Sequence, residues 1–324
     1  MRSIFTTAAA GVIVGVGLLT SGASPINAAV FSAGPPENIV TNLACMNVRY
    51  NSTAAGTPVI AYDCHAGPEQ QFEFAGPDCV TQTSFSACAQ YPKNVPPGTT
   101  IYTVPSNPVP TESASYFNCL DVSGAGTANG TPVISYPCNG GVNQQFIYKN
   151  GQIVVYTSIN IPKCLDATDM ANFTQIIIND CTTSASQQWQ IKGAVLTNGT
   201  PNGAFGGNVC ASANPLMPVT PRDFPINAED CQVGPNQRFD FAGSTIYMNS
   251  VQRCMSLTAF GVIPGLVNDF CTGSTDQQFY YSNGFIVAVK TGQCLDRTLA
   301  SPEAESVLYF ANCNESDTQQ WQIK

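Results

Sequence analysis

The chain has 324 residues, 44% hydrophobic and only 10% charged, with a net charge of −9 and a pI near 4.4. Such a length accommodates two ordinary domains. The acidic balance lacks the basic footprint of a nucleic-acid binder, and an anionic membrane surface is an unsuitable partner for the same reason.

The N-terminus reads as a signal peptide over residues 1–28. Arg2 supplies the positive start, Ala8 to Leu19 the apolar run, and Ala23 or Ala28 a small-residue cleavage position. The apolar run is shorter than the ~20 residues of a membrane span. Secretion without membrane insertion is therefore expected. The fourteen cysteines, an even number, suit an oxidising compartment. No two of them lie at the short spacing of a zinc motif, and His65 is the only histidine, so neither a metal nor another cofactor is expected.

Beyond the leader the chain repeats itself. Gln187-Gln188-Trp189-Gln190-Ile191-Lys192 recurs unchanged as Gln319-Gln320-Trp321-Gln322-Ile323-Lys324, at an offset of 132 residues. Weaker copies end the other repeats: Gln70-Gln71-Phe72, Gln144-Gln145-Phe146, Gln237-Arg238-Phe239 and Gln277-Gln278-Phe279. This gives three motifs in each half and divides the mature chain into 29–192 and 193–324. A cysteine pair precedes each motif: Cys45 with Cys64, Cys119 with Cys138, Cys164 with Cys181, Cys210 with Cys231, Cys254 with Cys271, and Cys294 with Cys313. Each pair is expected to be a disulfide closing a loop of about 17–21 residues, stabilising by ~3 kcal/mol in the chain-entropy account. Cys79 and Cys88 are left to pair with each other.

Local patterns are strand-like. Thr131 to Tyr136 is a short β-type run between turn signals, and in the hexapeptide Trp189 and Ile191 alternate onto one face. No mature segment shows a helical stripe, so an all-β barrel or sandwich is expected. The stretch 76–115 breaks the rhythm. It contains Cys79, Cys88 and a proline-dense run from Pro92 to Pro110, and reads as an elaborated loop, either a plain surface insertion or one shaping a binding site.

Three Gln-x-aromatic motifs per half, each after a Cys-Leu-Asp…Cys type of pair, resemble the ricin B-type lectin domains. Cys119-Leu120-Asp121 and Thr131 through Phe146 lie closest to that pattern. The resemblance implies two tandem β-trefoil domains with the motif aromatics in the core. It also implies a shallow sugar site per repeat. An Asp accepts sugar hydroxyls, an aromatic two residues before the second cysteine stacks on the sugar, and an Asn before the motif Gln adds polar contacts. The second repeat holds Asp121, Tyr136, Asn143 and Gln144, with Ile134 where the family often has Gln. The third has Asp166 and Gln187, but Asn179 replaces the aromatic. The sixth has Asp296 and Gln319 with Ala311 at the aromatic position, where a one-residue bulge would bring in Tyr309 or Phe310. The first has Asn47, Tyr62, Glu69 and Gln70, and the fourth and fifth carry Ser212 and Ser256 in place of Asp.

Alternatives remain at this level. The three Asp residues can instead cap turns. The fold also hosts structural and protease-inhibitory proteins without sugar sites. An enzyme is disfavoured, because His65 has no nucleophile motif around it and the repeats occupy nearly all the mature chain. Glycans or glycoproteins are the implied partners, and more than one working site would add avidity. Asn51, Asn129, Asn172, Asn198 and Asn314 begin Asn-x-Ser/Thr sequons, making this a candidate glycoprotein.

Overall fold

Each repeat opens with a short strand, continues into a disulfide-tied hairpin, and ends in the strand that follows its motif Gln. The structure is a computed structural model. It describes residues 38–40, 44–65, 67–75, 99–103, 118–155, 162–199, 208–213, 224–232, 234–258, 265–297, 306–314 and 316–323. The leader, Cys79 and Cys88 lie outside them. The described residues hold twenty-five strands and no α-helix.

The first repeat contributes β1 (Asn38–Val40), β2 (Cys45–Val48), β3 (Thr57–Tyr62) and β4 (Phe72–Ala75). The second has β5 (Thr100–Thr103), β6 (Asn118–Val122), β7 (Thr131–Pro137) and β8 (Phe146–Lys149). The third has β9 (Gln152–Val155), β10 (Lys163–Asp166), a third strand split into β11 (Thr174–Gln175) and β12 (Ile177–Asp180), and β13 (Gln190–Ala194). The fourth has β14 (Leu196–Gly199), β15 (Asn208–Ala213), β16 (Phe224–Asp230) and β17 (Phe239–Ala242). The fifth has β18 (Thr245–Met248), β19 (Arg253–Thr258), β20 (Gly265–Asp269) and β21 (Phe279–Ser282). The sixth has β22 (Phe285–Ala288), β23 (Cys294–Arg297), β24 (Ser306–Ala311) and β25 (Gln322–Ile323).

The last strand of each repeat pairs with the first strand of the next. In the first half these pairs are β4–β5, β8–β9 and β13–β1, and in the second β17–β18, β21–β22 and β25–β14. Both halves thus return to their own first strand. The third strands meet in triangles: β3, β7 and the split β11 and β12 in one half, β16, β20 and β24 in the other. This is the β-trefoil, formed twice.

The two trefoils meet through their final strands. β4 pairs with β25, β8 with β21, and β13 with β17. Buried tyrosines pin this seam, because a buried phenol needs a hydrogen-bond partner. The Tyr148 hydroxyl donates to the carbonyls of Trp189 (2.9 Å) and Phe241 (3.2 Å), and Tyr281 serves Trp321 (2.6 Å) and Phe74 (3.2 Å). Full burial pushes the Tyr148 phenol well above its ordinary range. One apolar cluster runs through both halves, with all six motif aromatics, Trp189 and Trp321 among them, inside it. Gly151 shows how close the lobes come. Its N–H donates to Gly243 O at 3.0 Å, and a Cβ there would lie 3.3 Å from Gly243 Cα.

The boundary expected between 192 and 193 falls inside β13, a strand shared across the seam. Lys192 Nζ reaches the buried Asp240 at 3.4 Å, and Arg238 donates to Gly193 O at 2.9 Å. That contact accounts for the one motif with Arg in its second position. The stretch 76–115 is not one continuous insertion: residues 100–103 form β5, because Ile101 is fully buried in the core.

Six of the seven expected disulfides form among the described residues. In the first half Cys45 is bonded to Cys64, Cys119 to Cys138, and Cys164 to Cys181. In the second half Cys210 is bonded to Cys231, Cys254 to Cys271, and Cys294 to Cys313. Their Cα–Cα distances are 4.9–5.1 Å, within the span a disulfide can bridge. The two ends of each bridge differ in burial. The first cysteine sits buried in the strand that opens the hairpin. Its partner lies just past the hairpin's second strand, half-buried for Cys138 and Cys231 and exposed for Cys64, Cys181, Cys271 and Cys313. The twelve cysteines therefore hold the framework. The seventh pair, Cys79 with Cys88, falls outside the described residues.

Candidate functional site

The motif glutamines do the same work six times. Each closes a short 3-10 turn; its Oε1 accepts an N–H five residues back, and its Nε2 donates to a carbonyl seven residues back. For Gln144 the partners are Asn139 N (2.8 Å) and Pro137 O (3.1 Å). Gln70, Gln187, Gln237, Gln277 and Gln319 repeat the pattern. All six are buried. In three repeats the same Nε2 also donates to the Asp after Cys-Leu, at 2.8 Å to Asp121, 3.0 Å to Asp166 and 2.9 Å to Asp296. Gln144, Gln187 and Gln319 therefore sit beneath the carboxylates and hold them.

In the second repeat, strand register puts Cys119 opposite Tyr136 and Asp121 opposite Ile134. Alternation then sets Asp121 and Tyr136 on one face, one rung apart. Asn143 Nδ2 donates to Asp121 Oδ2 at 2.9 Å, the oxygen that Gln144 also binds. Oδ1 has no protein donor among the described residues. Gly141 gives Asn143 the room to fold over, since a Cβ there would lie 2.5 Å from Asn143 Oδ1. Tyr136 is 41% exposed beside a carboxylate that is only 3% exposed. Burial pushes the Asp121 carboxyl above its ordinary value, and the bonds from Gln144 and Asn143 only partly offset this.

The third repeat is closed. Asp166 Oδ1 accepts the Thr168 N–H at 2.8 Å, a turn-capping bond. Oδ2 accepts from Gln187 and from Asn179 (3.0 Å), the residue in the aromatic position. Burial opposes the charge, but the bonds from Asn179, Gln187, Ser186 and Thr168 together hold this carboxyl below its ordinary value.

The sixth repeat has no bulge. Cys294 faces Ala311, Leu295 faces Phe310 and Asp296 faces Tyr309. Phe310 is buried and stacked on Phe279 (5.6 Å), so a one-residue slip would turn it to solvent. Tyr309 nonetheless hydrogen-bonds Asp296, and burial, then the Asp296 charge and that bond, raise its phenol. Asp296 Oδ1 accepts the Arg297 N–H at 2.8 Å, so both oxygens are used. Ser212, Ser256 and Asn47 are buried where the other repeats have Asp.

The sequons separate by environment. Asn198 is fully buried, donating to Asp317 O and Gln320 O. Asn129 ties Asp180 (2.8 Å) and accepts from Lys163 (2.7 Å). No group of three or more metal-ligating side chains converges among the described residues.

Residues 112–214, 163–279 and 220–321 match, in overlapping segments, the sequence profile of the ricin-type beta-trefoil lectin domain. The chain belongs to that family. Similar solved structures include a non-toxic homologue of type II RIPs from Momordica charantia, in complex with α-methyl-D-galactoside (18% identity, 90% of this chain and 98% of that one, TM-score 0.33). A second is the designed three-fold symmetric protein ThreeFoil (22%, 48% and 95%, TM-score 0.35), and a third the agglutinin from Abrus precatorius (16%, 90% and 97%, TM-score 0.33). No curated protein matches the chain significantly. In this lectin-family chain, sequence reasoning missed one surface feature. Arg49, Tyr50 and Phe173 gather beside Tyr62, and only the Arg49-Tyr50 pair in a hairpin turn hinted at it.

Proposed function

We propose that this protein is a secreted lectin that binds glycans through a shallow site in its second repeat and catalyses no reaction. Galactose- or N-acetylgalactosamine-type sugars are the ligand class. One observation supports the site. Asp121 keeps Oδ1 without a donor among the described residues while Asn143 and Gln144 fix Oδ2, and the exposed Tyr136 shares its face. A fixed carboxylate with a free oxygen accepts sugar hydroxyls, and a ring beside it covers the sugar's C–H face. Asp166 and Asp296, each filled by internal donors, support the framework, and the remaining repeats lack the carboxylate. The protein is then close to monovalent for this ligand class. The six disulfides suit an oxidising compartment and accord with secretion. Two trefoil lobes, dividing near the expected 192/193 boundary within β13, form the scaffold.

A glycan array of the full secreted chain beside Asp121→Ala tests the proposal. Loss of neutral-glycan binding in the variant is expected. Neutral-glycan binding that survives would move the site to Asp166, Asp296 or the 76–115 stretch. A folded wild type that binds nothing would favour a structural or inhibitory trefoil.

A further inference from the structure

The first repeat lacks the Asp and has instead gathered aromatics and a cation. Tyr50 is 75% exposed and Phe173 53% exposed, although large apolar side chains usually find cover. Both residues adopt left-handed backbone conformations, φ 57° and 70°, which bulky L-residues avoid. The strain is held by the fold: Phe173 N–H bonds Ala61 O at 2.9 Å, docking the loop before β11 onto β3. Phe173 packs edge-on against Tyr62, with centroids 5.0 Å apart, and Tyr62 in turn meets His65 at 6.1 Å. The Arg49 guanidinium lies 4.8 Å from the Tyr50 ring centre and 6.0 Å from that of Phe173. Two hairpins from different repeats thus bring exposed rings around one cation.

The charge at this cluster is the opposite of that in the second repeat. Arg49 has no carboxylate partner among the described residues; its Nη2 donates to the Tyr50 hydroxyl at 3.1 Å, and its Nε is buried without a hydrogen bond. Of the acids close by in sequence, Glu69 faces His65 at 3.7 Å, Asp169 is engaged by Thr174 and the Ala171 N–H, and Asp63 adjoins Tyr62. Where the second repeat has Asp121, this repeat has the neutral, buried Asn47. An anionic ligand repelled by Asp121 meets a guanidinium here, whose fork geometry suits a carboxylate.

We propose that Arg49, Tyr50, Tyr62, His65 and Phe173 form a second glycan subsite, which takes a sugar bearing a carboxylate. The rings stack on the sugar's C–H faces and Arg49 pairs with its acid group. This rests on the sugar-binding reading of the chain but uses different residues, so the two can fail separately.

The test titrates the full chain with tri-galacturonate and with its methyl-esterified form, which keeps the rings and removes the charge. Wild type is expected to bind the acid form about ten-fold more tightly than the ester, with a preference that shrinks as salt is raised. Arg49→Gln should abolish that preference, and Phe173→Ala should weaken both ligands several-fold. Lys290→Gln, an exposed cation removed elsewhere, should leave the preference intact. Asp121→Ala should keep the acid-over-ester ratio while losing the array ligands of the second repeat. The proposal is overturned if Arg49→Gln keeps the preference, if Lys290→Gln removes it, or if Asp121→Ala loses acid and neutral ligands together. A wild type that binds neutral glycans on the array but not tri-galacturonate also overturns it and leaves the second-repeat site standing. A folded wild type that binds neither sinks both.

Discussion

Asp121 and Asp166 follow the same Cys-Leu-Asp tripeptide in neighbouring repeats, and each accepts a hydrogen bond from its own motif glutamine. They nevertheless end in different states. Asp166 is enclosed by Asn179, Gln187 and the Thr168 N–H, and its carboxyl is held low. Asp121 has both of its donors among the described residues on one oxygen, shares a face with the exposed Tyr136, and is pushed up by burial. The residue opposite the first cysteine makes much of the difference. Asn179 turns in to donate to its carboxylate, whereas Tyr136, which makes no such bond, stands out into solvent. A carboxylate already satisfied by the protein is structural, and one left half-satisfied is available to a ligand.

The largest effect that would sharpen this contrast is on affinity. With a neutral sugar taken from the array, Asp121→Ala should weaken binding about 10- to 150-fold in calorimetry, the value of ~1.5–3 kcal/mol for hydrogen bonds to a charged group. Equal affinity in the two proteins would break the comparison. Asp166→Ala should do the reverse. Binding stays within error, but denaturant unfolding shows a loss of about 1–3 kcal/mol, because buried donors on Asn179 and Gln187 lose their acceptor. Tyr136→Ala should weaken binding by about 0.5–1.5 kcal/mol with unchanged stability, since an exposed ring contributes stacking and little core.

The smallest effect is in pH. Asp121 binds its proton more readily folded than unfolded. The stability from its neutral form is present below the ordinary carboxylate value and lost as pH rises through the raised one. In the proposed site its charged form would accept sugar hydroxyls, so affinity should fall as pH drops through that same raised value. Asp166 behaves oppositely: its stabilisation is present above the ordinary value and is lost only as pH falls through the depressed one. Carboxyl NMR titration of both residues checks the order, and Asp166 titrating above Asp121 would contradict the geometry.

Much of the scaffold was legible because repetition leaves a signature that needs no long-range information. The recurrence at Trp189 and Trp321 announced the three-fold halves, and the cysteine register gave the six bridges. The site was legible only in part. Sequence placed Asp121, Tyr136 and Asn143 together and favoured that repeat, but left Asp166 and Asp296 open between sugar binding and turn capping because the tripeptides are identical. It offered a bulge at Tyr309 that the packing of Phe310 on Phe279 forbids. It also read 76–115 as one insertion, because four residues of strand, Thr100–Thr103, carry too little pattern to stand out among prolines and glycines.

By itself, then, the sequence determined the fold class, the repeats, the pairing of six disulfides and the residue types at each potential site. Those follow from local spacing and from the burial that every copy of a repeat must achieve. Only the tertiary structure decided which carboxylate keeps a free oxygen, that the two trefoils share one core through Tyr148 and Tyr281, and that Arg49, Tyr50 and Phe173 meet on one surface. Each of these depends on contacts between residues far apart in the chain. Strand register and lobe docking set their hydrogen bonds and ring packing, and neither is written in any single repeat.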